Sequence, residues 1–179
     1  TLAESFMSLH PNGAKMITSS ITAKIPFFAT VKSCNYLINV LMQKEASEEG
    51  VDFVAAFDKD GRMAEGATEN IGMISNRELV FPCVAGTLTG TTMLRVMDLA
   101  GELIKKGVLE KAEYRDITRE DLGKADEIIV TGTTRDVVSV VEFDRKPVGK
   151  GVPGSICVEL NKLLARDIMC NKSLLTPVF

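Results

Sequence analysis

Three stretches of this 179-residue chain place reactive side chains in otherwise apolar surroundings. In TVKSCNYL, Lys32 stands between Val31 and Ser33, just ahead of an apolar-periodic run. An amine placed there is either a solvated charge or a nucleophile that condenses with a carbonyl. In EGATEN, Glu65 precedes Gly66 at the end of a short apolar segment, where a carboxylate either meets water or pairs with a cationic group. Two Thr/Gly turns form the third feature: GTLTGTT, residues 86–92, and VTGTT, residues 130–134. A Gly-Thr-Thr helix start offers unpaired backbone N–H groups, hydroxyls and the positive dipole end. It therefore suits a phosphate, although ordinary N-caps also use Thr. Gly132 at a strand end admits a close ligand or makes a plain tight turn.

Other chemistries are excluded by what the chain lacks. GTLTGTT has no Walker-type lysine, so a nucleotide-triphosphatase reading fails. The one histidine, His10, lies beside the turn signal Pro11-Asn12-Gly13. No His-rich metal site is expected, nor a Ser-His or Cys-His device within this chain. Cys34, Cys83, Cys157 and Cys170 match no CxxC pattern. They read as free thiols of a reducing compartment, the cytoplasm or an organelle matrix. Net charge is −3 without a basic block, which argues against nucleic acid. No apolar run approaches the roughly 18 residues of a membrane span. A reactive lysine, a phosphate cradle and a carboxylate are together what pyridoxal 5'-phosphate requires: an imine partner, an anion site and a partner for the ring nitrogen.

The elements that position these groups follow from periodicity. Met16–Ile21 reads as a strand, and a helix follows Pro26 and closes at Gly50, with Leu37, Val40 and Leu41 on its apolar stripe. Val51–Asp58 is an apolar strand turning at Lys59–Gly61, followed by short strands over 62–65, 71–75 and 78–81. A second helix spans about Thr91 to Lys106, burying Met93, Met97, Ala100 and Ile104 and stopping at Gly107. Thr118–Asp126 carries a capping box, with Thr118 as N-cap and Asp121 as its partner. EIIVTGTT is a buried strand, VVSVVEFDRKPVG a strand, turn and strand, and Gly154–Cys170 a helix with Leu160, Leu163, Leu164 and Ile168 inward. About four helices among several strands predict an α/β, mixed α+β domain over residues 15–179, with 1–14 as a linker.

KSCNYL, EGATENIGMI, LTGTTM and VTGTTRDVVSVVEFDRKPVGKG occur in the order and spacing of the fold-type IV (class IV) pyridoxal-phosphate enzymes. From Ile17 to Cys170 the chain resembles that family, which holds branched-chain aminotransferases, D-amino-acid aminotransferases and aminodeoxychorismate lyases. The resemblance implies the large C-terminal cofactor-binding domain of the D-amino-acid-aminotransferase-like fold, with mixed sheets. It makes Lys32 the Schiff-base lysine that also shuttles a proton, and Glu65 the acid on the pyridinium nitrogen. Gly90, Thr91 and Thr92 then bind phosphate at the helix start. The turn at Gly132 and Thr133 touches phosphate, while Thr133 and Thr134 reach the substrate carboxylate. Tyr36 is similar to a tyrosine that bonds the cofactor's ring oxygen, one residue closer to the lysine than in some branched-chain enzymes. Ala67 and Thr68 stand where small or hydroxylated residues flank the cofactor.

The family also implies a smaller N-terminal domain, absent from this chain, and a homodimer. The implied activity moves an amino group between an amino acid, branched-chain or D-, and a 2-oxo acid. TGTTRDVVSV is more like the aminotransferases than the lyase, which remains the alternative on the same scaffold. An inactive fragment or interaction domain is the reading from another class.

Overall fold

Val- and Ile-rich runs separated by tight polar turns pair into one mixed sheet, and two amphipathic helices cover a single face of it. The structure, a computed structural model, describes Met7, residues 10–83 and residues 87–174. In chain order the elements are β1 (Ala14–Thr18), α1 (Pro26–Ala29), α2 (Leu37–Glu48), β2 (Phe53–Ala55), β3 (Asn70–Ser75), β4 (Glu78–Phe81) and α3 (Thr91–Lys105). There follow β5 (Lys111–Tyr114), α4 (Arg119–Gly123), β6 (Glu127–Gly132), β7 (Asp136–Phe143), β8 (Lys146–Pro147) and α5 (Ser155–Cys170), with a 3₁₀ turn at Lys172–Leu174. Strand order is β2-β1-β7-β6-β3-β4-β5, with β8 on β7. The centre, β7-β6-β3-β4, is antiparallel, while β1 lies parallel to β2 and β7, and β5 parallel to β4.

Alternation along the strands separates two cores. Ile71, Met73, Val130 and Val138 share one with Met16, Phe53, Ile117 and Leu122. Ile74, Ile129 and Val137 face α3 and α5 in the other. A smaller cluster sets Met42 and Ala46 of α2 against Val54, Ala56 and Ala67. Two tight hairpins place non-glycine residues at positive φ: Asn76 and Arg77 between β3 and β4, Asp144 and Arg145 between β7 and β8. That is the backbone a two-residue turn needs to match strand twist. The Thr118–Asp121 capping box forms as expected, and Gly107 follows α3 at φ +70°.

Helix faces differ from expectation. On α2 the buried residues are Asn39, Met42 and Ala46, whereas Leu37, Val40 and Leu41 are exposed. The helix docks through its small and flexible side chains, which let it approach β2 closely and turn its bulkier stripe outward. On α3 the buried line is Met93, Val96, Leu99, Ala100 and Leu103; Met97 packs at its margin and Ile104 faces out. On α5 Ile156 and Cys157 join Leu160, Leu163 and Leu164 inside, but Ile168, 54 % exposed, lies outside the packed face. The expected strand at 16–21 stops at Thr18: the Ser19 hydroxyl and the Ser20 N–H donate to Glu45, and the Ser19 N–H still reaches the Ala55 carbonyl. Over 62–65 there are only isolated bridges, Phe57 to Met63 and Arg62 to Thr118. The unforeseen β5 is a polar edge strand, Lys-Ala-Glu-Tyr, whose lysine pairs with Glu78 and Glu113. Of the expected linker, residues 1–6, 8 and 9 lie outside the described residues, as does Gly86; Ala14 already belongs to β1.

Asp167 joins α5 to α3. Its carboxylate accepts from Arg95 Nε and Nη2 at 2.7 and 2.6 Å and from Asn171 Nδ2 at 2.9 Å. The Arg95 bonds, with Asn171 second, hold its pKa down from 3.8 to about 2. The ionised form is thus favoured by folding: the stabilisation is present above the ordinary carboxylate range and is lost as pH falls toward 2. Acid unfolding followed by circular dichroism should therefore show wild type losing more stability than Asp167→Asn between about pH 4 and pH 2. Parallel curves would remove this pair from the acid response.

Candidate active site

The strand begun at β2 continues as extended chain through Ala56 and Phe57, and it holds one side of the site by both of its edges. On one edge the Ser19 and Ala23 N–H groups donate to the Ala55 and Phe57 carbonyls at 2.8 and 3.0 Å. On the other, the Ala56 N–H donates to the Glu65 carbonyl at 3.0 Å. Lys24 and Glu65 are thereby brought face to face, with Lys24 Nζ 3.3 Å from Glu65 Oε1 and side chains 19 % and 14 % exposed. The second carboxylate oxygen, Oε2, accepts the Leu88 N–H at 3.1 Å.

The EGATEN loop is pinned from several directions. Asn39 of α2 donates through its amide to the Ala67 carbonyl. Gly66 N–H donates to the Glu69 carbonyl at 2.8 Å. The nearly buried Glu69 carboxylate accepts the Thr68 N–H at 2.9 Å and the Thr68 hydroxyl. Arg135, from the β6–β7 turn, sets its Nε 3.8 Å from Glu69 and its guanidinium 6.0 Å from the Phe53 ring centre. Asn70 donates to the Leu88 carbonyl at 2.8 Å, and its side chain lies against Gly90, the N-cap of α3. Gly90 has ordinary extended φ, so close approach is the reason for glycine: a Cβ there would collide with Asn70 Oδ1.

Between these pieces opens a pocket of about 130 Å³. Its walls include Lys32, Tyr36, Glu65, Ala67 and Thr68, five of the residues expected from sequence. Lys32, in the loop between α1 and α2, has no hydrogen-bond or ion-pair partner among the described residues. Gly90, Thr91, Thr92, Gly132, Thr133 and Thr134 do not line this pocket. Gly90 adjoins it through Asn70, and the β6–β7 turn is tied to it through Arg135 and Glu69. Gly90 supplies α3 with no side-chain cap. By contrast, the first turn of α5 is capped by Glu127, which accepts from the Ile156 and Cys157 N–H groups at 3.0 and 2.8 Å. Sequence reasoning passed over Lys24, Asn39 and Arg135. A buried Asn within a helix stripe was a usable signal, whereas Lys24 is one of thirteen lysines with nothing local to single it out.

A family model described as amino-transferase class IV matches residues 2–143. The chain belongs to the class IV aminotransferase family. Among relatives of this class IV chain, the chloroplastic D-amino-acid transaminase of Arabidopsis thaliana is 40 % identical over 90 % of the chain and 44 % of its own length. A probable branched-chain-amino-acid aminotransferase of Aquifex aeolicus is 34 % identical over 80 % of the chain and 47 % of its own length. The chain thus spans about half the length of the curated relatives it matches. Among solved structures, the branched-chain aminotransferase of Thermoproteus uzoniensis with norvaline superposes with a TM-score of 0.84. That match has 26 % identity and covers 94 % of this chain and 57 % of the other. The fold expected from the resemblance is therefore the fold observed.

The Gly90–Asn70 contact is testable. Gly90→Ala should push Asn70 off the Leu88 carbonyl and cost about 1–3 kcal/mol of stability. Urea denaturation measures it; a cost within error of zero would show that the α3 start is loosely seated.

Proposed function

We propose that this chain is the cofactor-binding part, residues 15–179, of a pyridoxal-phosphate-dependent aminotransferase. Its substrates would be an amino acid, branched-chain or D-, and a 2-oxo acid. The observation that carries the reading is one pocket with an uncommitted amine, Lys32, on its wall and an oriented carboxylate, Glu65, in it. The donor set suits the cofactor: amine, carboxylate, phenol and, beside Asn70, a helix start without a side-chain cap. Lys24 also lines the pocket, but it is committed to Glu65, which leaves Lys32 as the nucleophile.

When bound, pyridoxal phosphate supplies an aldehyde for imine formation and a ring that accepts electrons from the substrate α-carbon. Lys32 would hold the aldehyde carbon and serve as the base that moves the substrate α-proton. Glu65 would pair with the ring nitrogen, and Tyr36 would bond the ring oxygen. The first-turn N–H groups of α3, with Thr91 and Thr92, would bind the phosphate, joined by Gly132 and Thr133. Thr133 and Thr134 orient the substrate carboxylate, and the small Ala67 with Thr68 keeps the ring's space open. Phe28 and Val31, both exposed, line the pocket, and Phe27, Leu37, Val40 and Leu41 are further exposed apolar side chains of α1 and α2. Exposed apolar side chains of this kind mark a covered surface, and a homodimer is the proposed cover, excluding water from the site. Among the described residues no helix is long and apolar enough to cross a membrane, and the proposed compartment is the cytoplasm or an organelle matrix. Transaminase is preferred over lyase because the named relatives are transaminases of D- and branched-chain amino acids.

Borohydride reduction of the cofactor-loaded protein, followed by peptide mapping, should place the pyridoxyl group on Lys32. A label on another lysine would overturn the assignment. Glu65→Gln should lower turnover roughly a hundredfold in protein that still folds by circular dichroism. Undiminished turnover would remove Glu65 from the chemistry.

A further inference from the structure

Lys24 is a charged pocket residue to which neither the motifs nor the mechanism above gives a role. Its ammonium is largely withdrawn from solvent and sits 3.3 Å from Glu65 Oε1. The backbone, rather than the pair itself, brings the two together. The Ala23 N–H is tied to the Phe57 carbonyl, and the Glu65 carbonyl accepts from Ala56, on the opposite edge of the same extended segment. Beyond Lys24 the chain enters α1 at Pro26, which fixes φ and ends the extended run. Lys24 is therefore delivered to Glu65 from a short, anchored stretch, unlike Lys32, whose loop has no backbone bond to the sheet among the described residues.

We propose that Lys24 is a positioning residue that acts through Glu65, holding its carboxylate in one orientation for the ring nitrogen of the cofactor. A carboxylate offers about four lone-pair sites. Lys24 takes one on Oε1 and the Leu88 N–H one on Oε2, so rotation is blocked from both ends and acceptor capacity remains for a ligand. Without the cation, one end of this largely buried carboxylate loses its partner and is free to turn. The rest of the pocket does not replace it: Lys32 is reserved for the aldehyde, and Glu69, on the same wall, is itself an acid. Arginine at position 24 would preserve the charge, whereas methionine would preserve only the stem.

The inference rests on the pyridoxal-phosphate reading, and its test separates the two. Pyridoxal 5'-phosphate is titrated into the full chain as wild type, Lys24→Met, Lys24→Arg, Glu65→Gln and the Lys24→Met/Glu65→Gln double variant. Thermal unfolding of each is measured alongside. The expected result is a dissociation constant about tenfold higher for Lys24→Met, near recovery in Lys24→Arg, and no further loss when Lys24→Met is added to Glu65→Gln. The non-additivity is the readout that a merely structural lysine would not give. Should Lys24→Met fold poorly, the Lys24→Arg titration and the same comparison made with Lys24→Gln, alone and combined with Glu65→Gln, decide it equally. Equal affinity of wild type and Lys24→Met, or a full additional loss in the double variant, overturns the role of Lys24 while leaving the cofactor reading intact. Absence of binding by wild type overturns both.

Discussion

The Glu65 carboxylate joins three parts of the chain that no shared helix or strand connects. Lys24 comes from the segment after β1, Leu88 from the approach to α3, and Glu65 itself from the return of the 57–63 hairpin. Taking a carboxylate partly out of water costs more than any single neutral hydrogen bond returns, so it persists only with a cation and a donor in place. Those partners also determine what the pocket can bind. A fixed negative charge at one wall and a free amine at another suit a ligand with a protonated ring nitrogen and a carbonyl. The wider fold supports this arrangement by holding β2 and its continuation rigid enough to serve both edges.

That rigidity comes from the sheet. β1 pairs parallel with β2 and β7, and the antiparallel centre behind it buries Val130, Val138 and Ile71 completely. Helix α3 packs on the opposite core through Met93, Val96 and Ala100, which sets its first turn against Asn70. Core packing and anion geometry are thus one constraint: a shift of α3 moves Gly90 and with it the Leu88 segment that holds Glu65. The relatives and solved structures share this architecture over nearly the whole chain, while the chain accounts for about half of theirs. On α1 and α2 the fold leaves Phe27, Phe28, Leu37, Val40 and Leu41 exposed, and Phe28 lines the pocket.

The sequence was most informative where local chemistry decides the structure. The Thr118–Asp121 box and the glycine after α3 depend on a few adjacent residues and formed as read. Helix faces were harder, because they depend on what the helix meets. In α2 the aliphatic stripe of Leu37, Val40 and Leu41 was the stronger pattern, yet the partner surface of Val54, Ala56 and Ala67 accepts Met42 and Ala46. β5 carries no hydrophobic alternation because it is an edge strand held by charge and backbone pairing. In the site, the ordered motifs carried Lys32, Tyr36, Glu65, Ala67 and Thr68 into one pocket. Lys24 was invisible, since its position arises from hydrogen bonds to Phe57, a residue 34 positions away from Ala23 by number and adjacent only in the fold.

The central claim is that this pocket hosts reversible amino-group transfer, and visible absorption of the protein loaded with pyridoxal phosphate tests it most directly. The account predicts a protein-bound band that bleaches when a branched-chain or a D-amino acid is added and returns when a 2-oxo acid follows. A band that no amino acid alters, or one that bleaches and is not restored by any oxo acid, would contradict it.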